Sequence, residues 1–415
     1  MDFAYTPKVE ELRRRVRDFL DDHIVPRIGQ WRDEVHAGHY PVSFLEDLKA
    51  LAKSEGLWNL FLPALADDEP GTRLTNLEYA PLAEIMGRVS WASEVFNCNA
   101  PDTGNMELLH MFATPEQRER WLVPLLNGEI RSAFAMTEPD VASSDATNIT
   151  TSIRRDGDDY VIDGRKWFIT NAARPNCRIL IVMGKTDPEA ERHRQQTMVL
   201  VPMDTPGVEV VRNITTVNHF APEGHCEIVF RNVRVPVSNR LGEEGSGFAL
   251  AQARLGPGRI HHCMRSIGAA ELALELMTGR AQERKTFGRY LYQHGSVAEG
   301  IARSRIEIDQ ARLLVLKTAW MIDRVGAKGA RREIAMIKAL VPAMHTTVVD
   351  RAMQVFGAMG ISPDTPLADS WTWGRALRFA DGPDEVHLQS IARMEIGASK
   401  ATLGATAAYL TPPKR

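Results

Sequence analysis

The sequence predicts an α+β protein made of an N-terminal helical domain, a middle β-barrel domain and a C-terminal four-helix bundle. Three observations predict it. Residues 1–131 carry apolar side chains at helical spacing. Residues 132–240 are rich in Thr, Val and Ile and are cut by the turn pairs Asp156-Gly157, Asp163-Gly164 and Pro206-Gly207. Residues 241–415 return to a long stepping of apolar residues by three and four. The 415 residues suffice for two or three packed units sharing an extensive core.

Taken in order, Glu10 to Ile28 reads as a first helix. At Thr114-Pro115-Glu116-Gln117, Thr114 can cap, Pro115 suits the first helical position and Gln117 has the spacing of a capping box. Tyr160–Ile162, Arg178–Met183, Thr197–Val201 and Cys226–Phe230 read as short strands of a compact barrel or sandwich. Ile267, Ala270, Leu274, Met277 and Ala281 form one apolar seam. Val297, Ile301, Ser304, Ile308, Ala311, Val315, Thr318, Ile322 and Val325 form a second. Two further helices fit Ile334 to Val355 and Asp384 to Ala401, which completes a bundle.

Composition narrows the partners. An apolar fraction of 44% and a charged fraction of 25% are those of an ordinary globular protein. A net charge of -3 gives no long-range pull towards nucleic acid or an anionic membrane. Apolar runs such as Ile179–Met183 are too short to span a bilayer. The opening MDFAYTPKVEELRRR lacks the order of a secretory signal, and the closing TPPKR is not a peroxisomal address. The four scattered cysteines suit a reducing compartment, so a cytoplasmic location is expected. His261-His262 beside Cys263 is the one cluster of metal-ligating type. Neighbouring helix positions face different ways, so these read as structural histidines and no metal is expected.

Five segments can carry chemistry. Phe379–His387, FADGPDEVH, places Asp381, Asp384 and Glu385 within five residues. They can be a catalytic base or the acidic start of a helix. Ala135–Asp145, AMTEPDVASSD, can bind a heterocycle edge or a phosphate, or can be a turn of Asx and Ser/Thr motifs. Arg165–Asn171 is a strand whose aromatics can be core or can lie against a flat ring. In Arg284–Gly288 the basic residues can serve the helix C-terminus, or Arg284 can hold a pyrophosphate beside Phe287. Gln354–Gly360 can be a glycine C-cap or a cofactor contact.

Taken together, AMTEP, KWFITN, RKTFG, QVFGAMG and DGPDEVH stand in an order and at intervals that resemble the acyl-CoA dehydrogenase family over about residues 5–405. TEPDVASSD and ADGPDEVH are most similar to the branch of family members ten and eleven. The phosphotransferase-like region of those longer relatives is not in this sequence, so a stand-alone dehydrogenase module is expected.

The resemblance implies FAD in a cleft between β-domain and bundle. Phe134, Met136 and Thr137 would meet the flavin edge. Ser143 and Ser144 would lie near the pyrophosphate, with Ser144 also near the pantetheine arm. Thr170 would bond near flavin N5, and Phe168, where the family usually has tryptophan, would cover the ring. Arg284, Phe287, Gln354 and Gly357 would reach the FAD of a neighbouring subunit, hence a homodimer or homotetramer. Pro383 and Glu385 would complete the cofactor set. Arg259 and Gly382 would join Ser144 at the acyl-CoA. The family's glutamine after the histidine matched by His294 is replaced here by Gly295, so that contact is lost.

Asp381 would be the base, in the place where many members carry glutamate. The implied reaction makes a trans-2-enoyl-CoA, with electrons leaving through an electron-transfer flavoprotein. The alternative is phosphate elimination from a 4-phosphoacyl-CoA in the same flavin site, which needs a basic group in the acyl pocket. A nitroalkane oxidase, and a silent flavin-binding subunit, are weaker readings of the same motifs.

Overall fold

The computed structural model describes residues 4–399. The first part is helical: α1 (Pro7–Phe19), α2 (Ile28–His36), α3 (Leu45–Ser54), α4 (Asn76–Met86), α5 (Ala92–Val95), α6 (Asp102–Phe112), α7 (Pro115–Gln117) and α8 (Val123–Asn127). The expected single helix from Glu10 to Ile28 is broken. After α1 the chain runs through a wide turn at Leu20–Ile24 and a tight one at Val25–Arg27 before α2. Pro26 lies in the tight turn, where its ring and missing N–H disfavour an uninterrupted helix. The Thr114 capping box forms as expected, with hydroxyl and Gln117 amide satisfying each other's end of the helix.

The middle part holds β1 (Arg131–Ala135), β2 (Ser152–Asp156), β3 (Asp159–Thr170), β4 (Cys177–Lys185), β5 (Gln196–Pro202), β6 (Val208–Asn213), β7 (His225–Pro236) and β8 (Arg240–Leu241). Their order is β6-β7-β3-β2-β4-β5-β8, with β1 parallel to β4. Among the described residues this is an open path with β6 and β8 at its ends, so the expected barrel does not close. β4 is buried on both faces. Ile179, Ile181 and Met183 join the core shared with the helices, whereas Leu180 and Val182 pack inside the sheet domain. A strand covered on both sides needs the unbroken apolar run seen there.

Asp163-Gly164, expected as a turn, lies inside β3. Gly164 is required by crowding: a Cβ there would stand 2.4 Å from the Thr151 hydroxyl. The turn between β2 and β3 is made at Gly157, φ 63°, as the pair Asp156-Gly157 predicts. Near its end β3 carries a bulge, since Lys166 pairs with Ile228 and Ile169 with Cys226, leaving Trp167 and Phe168 opposite Glu227 alone. Bulges of this kind re-aim side chains at sheet rims.

The last part comprises α9 (Gly247–Glu283), a hairpin of β9 (Lys285–Thr286) and β10 (Arg289–Tyr290), α10 (Gly295–Gly329), α11 (Arg331–Phe356), α12 (Leu367–Ala376) and α13 (Asp384–Ser399). α9, α10, α11 and α13 are the four long helices of the expected bundle. The expected extension of the last helix to Ala401 falls outside the described residues. Helical and sheet parts are tied by a buried carboxylate: Glu94 accepts from both terminal nitrogens of Arg174, at 2.6 and 3.0 Å, and from the Tyr40 hydroxyl at 2.8 Å.

Candidate active site

Asp381 stands in a turn between α12 and α13. Its backbone is left-handed, φ 56°, and Gly382 follows at φ 107°. Only glycine fits the second position, because a Cβ there would lie 2.9 Å from the His387 Nε2. Aspartate tolerates the left-handed region better than most residues, which is a local reason for Asp rather than Glu at 381. Arg378 donates to the Asp384 carboxylate at 2.6 Å, and Glu385 is exposed in the first turn of α13. The helix-start reading of the acidic motif is met by Asp384 and Glu385, and Asp381 stands apart from the helix.

Two cations hold the turn by its carbonyls. Arg259 Nε donates to the Asp381 carbonyl at 2.9 Å. The buried Lys338 of α11 donates to Leu377 and Ala380 at 2.6 and 2.8 Å. The side chain of Asp381 is 13% exposed, and its Oδ2 is buried with no hydrogen-bond partner among the described residues. Beneath it runs a stripe of α9 at intervals of four residues. Arg254 Nη1 is 3.9 Å from Oδ1, a Cβ on Gly258 would be 3.6 Å from Oδ2, and His262 Nε2 is 3.5 Å from Oδ2. Burial pushes the Asp381 carboxyl up, but the positive charges facing it, His262 in its protonated form first and then Arg254, Lys338 and Arg259, outweigh it and hold the group below its usual value. Burial drives His262 itself down to about 3, so at neutral pH the pair is a carboxylate facing a neutral imidazole.

Arg254 links this carboxylate to the sheet domain. Its guanidinium lies 4.3 Å from the centroid of the Phe134 ring and donates from Nε to the Asn105 side chain at 3.0 Å. Gly104 makes room for it, since a Cβ there would be 3.3 Å from the guanidinium carbon. Glu107, also on α6, is buried with an unpartnered Oε2, and burial raises its carboxyl well above the usual range despite Arg254.

The sheet-domain residues singled out from sequence gather at the ends of β1 and β3. The Trp167 N–H donates to the Thr137 carbonyl at 3.0 Å, and the Thr137 hydroxyl donates back to the Trp167 carbonyl at 2.6 Å. The bulge turns Phe168 outward at φ 53°, 45% exposed. Met136 is anchored from behind, because Lys166 Nζ donates to its carbonyl and to Glu138 Oε1, both at 2.8 Å. The Ser143 hydroxyl closes its own loop, accepting from the Glu138 N–H at 2.9 Å, while Ser144 is exposed. The Thr170 hydroxyl pairs with His225 Nδ1 at 3.1 Å.

The remaining residues form a second group. Arg284 follows α9 at the base of the hairpin, and Phe287 at its tip has φ 49° and 94% exposure. Gln354 is exposed on the last turn of α11, which ends at Gly357 with φ 66°. Arg280 over the Phe356 ring, 5.3 Å to its centroid, brings the ends of α9 and α11 together. Pro383 stands immediately before α13.

Arg254, His262, Lys338, Glu107 and His225 were not singled out for the site from sequence. The signal for the first two was present as Arg254 and His262, each four residues from Gly258 and so on one face of α9.

Three family models match in order: acyl-CoA dehydrogenase N-terminal domain over residues 6–129, middle domain over 133–233 and C-terminal domain over 245–396. The probable acyl-CoA dehydrogenase FadE2 of Mycobacterium tuberculosis is 58% identical over 410 residues, 98% of this chain and 99% of that protein. Acyl-CoA dehydrogenase family member 10 of Mus musculus is 53% identical over 94% of this chain but only 37% of its own length. Family member 11 of Homo sapiens is 49% identical over 95% of this chain and 51% of its own length. This chain therefore spans about half or less of the members ten and eleven that it matches. A solved Mycobacterium abscessus protein described as a candidate acyl-CoA dehydrogenase superposes with a TM-score of 0.91 at 48% identity, covering 95% of this chain and 100% of that one. The chain belongs to the acyl-CoA dehydrogenase family.

Proposed function

We propose that the chain oxidises a saturated acyl-CoA to its trans-2-enoyl-CoA, with Asp381 taking the α-proton. The observation that carries this reading is the Asp381 carboxylate: buried, ionised, held through its backbone and with no hydrogen bond formed to Oδ2 among the described residues. The proton is acidic enough only if the enolate oxygen is stabilised. The backbone N–H of Asp381 makes no hydrogen bond among the described residues, so it can serve as that donor. An acyl chain closing over the site removes water and moves the Asp381 pKa upward, towards its task.

The cofactor is FAD, which when bound supplies the two-electron acceptor for the β-hydride. The residues present fit it. Arg284 makes no ion pair among the described residues, Phe287 and Phe168 are exposed rings, and Met136 and Thr137 sit on a buttressed strand end. Arg284, Phe287, Gln354 and Gly357 serve the neighbouring subunit's cofactor, so the working form is a homodimer or homotetramer. An electron-transfer flavoprotein takes the electrons onward.

Arg254 favours a second reading. It places a buried guanidinium beside the base, the basic group that elimination of phosphate from a 4-phosphoacyl-CoA requires. One experiment separates the two. The flavin-loaded enzyme is titrated anaerobically with straight-chain, branched, 4-hydroxy and 4-phospho acyl-CoAs while flavin absorbance and products are followed. Bleaching with enoyl-CoA formation supports the dehydrogenase. Phosphate release without lasting bleaching supports elimination, and no response to any acyl-CoA overturns both.

A further inference from the structure

We infer that His262 is a positioning residue for the base: as a neutral imidazole whose tautomer Arg265 fixes, it presents an N–H to Oδ2 of Asp381. The inference rests on the reading of Asp381 as base.

The tautomer follows from donor and acceptor counting. Arg265 Nη2 lies 3.2 Å from His262 Nδ1. A guanidinium has only donors and keeps its proton in proteins. Nδ1 must therefore accept, and in a neutral ring the proton then sits on Nε2. Nε2 is the atom 3.5 Å from Asp381 Oδ2. A doubly protonated ring would set an N–H against an N–H at Nδ1, so Arg265 also opposes the imidazolium. Burial acts in the same direction and is the larger cause of the low value near 3. Arg265 is itself anchored, donating from Nη1 to the Cys98 carbonyl at 3.1 Å.

The arrangement solves a conflict of requirements. The base already faces Arg254 and Arg259 from α9 and Lys338 from α11, all of which stabilise its anion. A further full charge would make the carboxylate a still weaker base. A neutral N–H fixes the direction of Oδ2 at a smaller cost in basicity than a full charge, because a hydrogen bond depends on orientation whereas a point charge does not. The Trp373 ring of α12, edge to face with His262 at 6.0 Å between centroids, limits the ring's freedom on the other side. At 3.5 Å the contact is longer than a formed hydrogen bond. Such contacts commonly tighten when substrate closes the site. Its neighbour His261 shows the contrast: it is buried between the rings of Phe61 and Tyr79 and forms no ion pair with a carboxylate among the described residues.

The test reads proton abstraction alone. The probe is the 3-thia analogue of whichever acyl-CoA bleaches the wild-type flavin best. With sulfur in place of the β-carbon it can lose an α-proton but has no β-hydride to give. Incorporation of deuterium from D2O at its α-carbon is followed by mass spectrometry, together with the analogue's Kd, on FAD-loaded full-length enzyme. Asp381→Asn should abolish exchange. His262→Leu should slow it about 10- to 100-fold, the range one hydrogen bond to a charged group spans, with Kd and flavin content unchanged. His262→Gln, which returns an N–H near the place of Nε2, should recover most of the rate. Exchange in His262→Leu at the wild-type rate would overturn the inference, as would equal impairment of the Leu and Gln variants with Kd and thermal stability falling in parallel. Wild-type exchange in Asp381→Asn would instead remove Asp381 as the base.

Discussion

Lys338 Nζ lies 2.8 Å from the carbonyl oxygen of Ala380, the residue before Asp381. The same ammonium reaches Leu377 at 2.6 Å, so one buried charge fixes both ends of the chain segment that delivers Asp381. Lys338→Met keeps the side-chain volume and leaves both carbonyls without a donor. A loss of about 3 kcal/mol is expected. Denaturant unfolding should show it, and turnover should fall further than stability does because the carboxylate is no longer held.

Asp381→Asn should lower kcat by about a thousandfold, within the range of general-base contributions. Flavin absorbance and acyl-CoA affinity should be retained, which stopped-flow flavin reduction and equilibrium binding will check. Asp381→Glu should not restore the usual family activity. The left-handed backbone at φ 56° disfavours Glu by about 1 kcal/mol, and the longer side chain meets the α9 stripe.

Gly382→Ala combines a positive φ of 107° with a Cβ 2.9 Å from His387 Nε2. We expect about 2 kcal/mol of destabilisation and loss of turnover together. A variant that melts like wild type and stays active would show that the turn is not required.

The strand end under Met136 depends on a buried ion pair. Lys166→Met leaves Glu138 charged, buried and unpaired, with an expected cost of about 4 kcal/mol. The pH dependence has a definite sign. Burial opposes the Glu138 anion, but Lys166, Thr151 and Thr150 win and bring its pKa to about 2, from an ordinary 4.5. A carboxyl lowered on folding stabilises the protein fully above its unfolded value. That contribution should fade as pH falls from about 4.5 towards 2, and acid titration of wild type against Glu138→Gln will measure it.

Phe287 is 94% exposed, so Phe287→Ala should leave the unfolding of a single chain unchanged. If the hairpin reaches a neighbour's cofactor, the variant should copurify with less FAD. Absorbance ratios and analytical ultracentrifugation will show whether flavin and assembly are lost together.

Much of this protein is legible in its sequence because the signals are local. The seams of α9 and α10 repeat every three or four residues, and the run Arg178–Met183 reads as the strand it is. The DGPDEVH turn reveals its helix start and its candidate base within seven letters. What stayed hidden depends on distant partners. Gly164 looks like a turn residue until Thr151 is placed against it. The open path of the sheet cannot be read from strand content, because closure depends on whether β6 and β8 meet. Arg254 and His262 are polar interruptions of a helix until a carboxylate more than a hundred residues away in the chain comes to rest on them.

The proposed base is assembled from segments that a nascent chain meets late. Its carbonyl is tied to Arg259 across 122 residues, and its turn to Lys338 across 39 and 42. Before those ties form, Asp381 is an ordinary exposed aspartate with no more power over a thioester than acetate in water. If Asp381 is the base, catalytic competence reports on completed assembly: a chain whose bundle has not shut would be chemically quiet towards the coenzyme A esters around it.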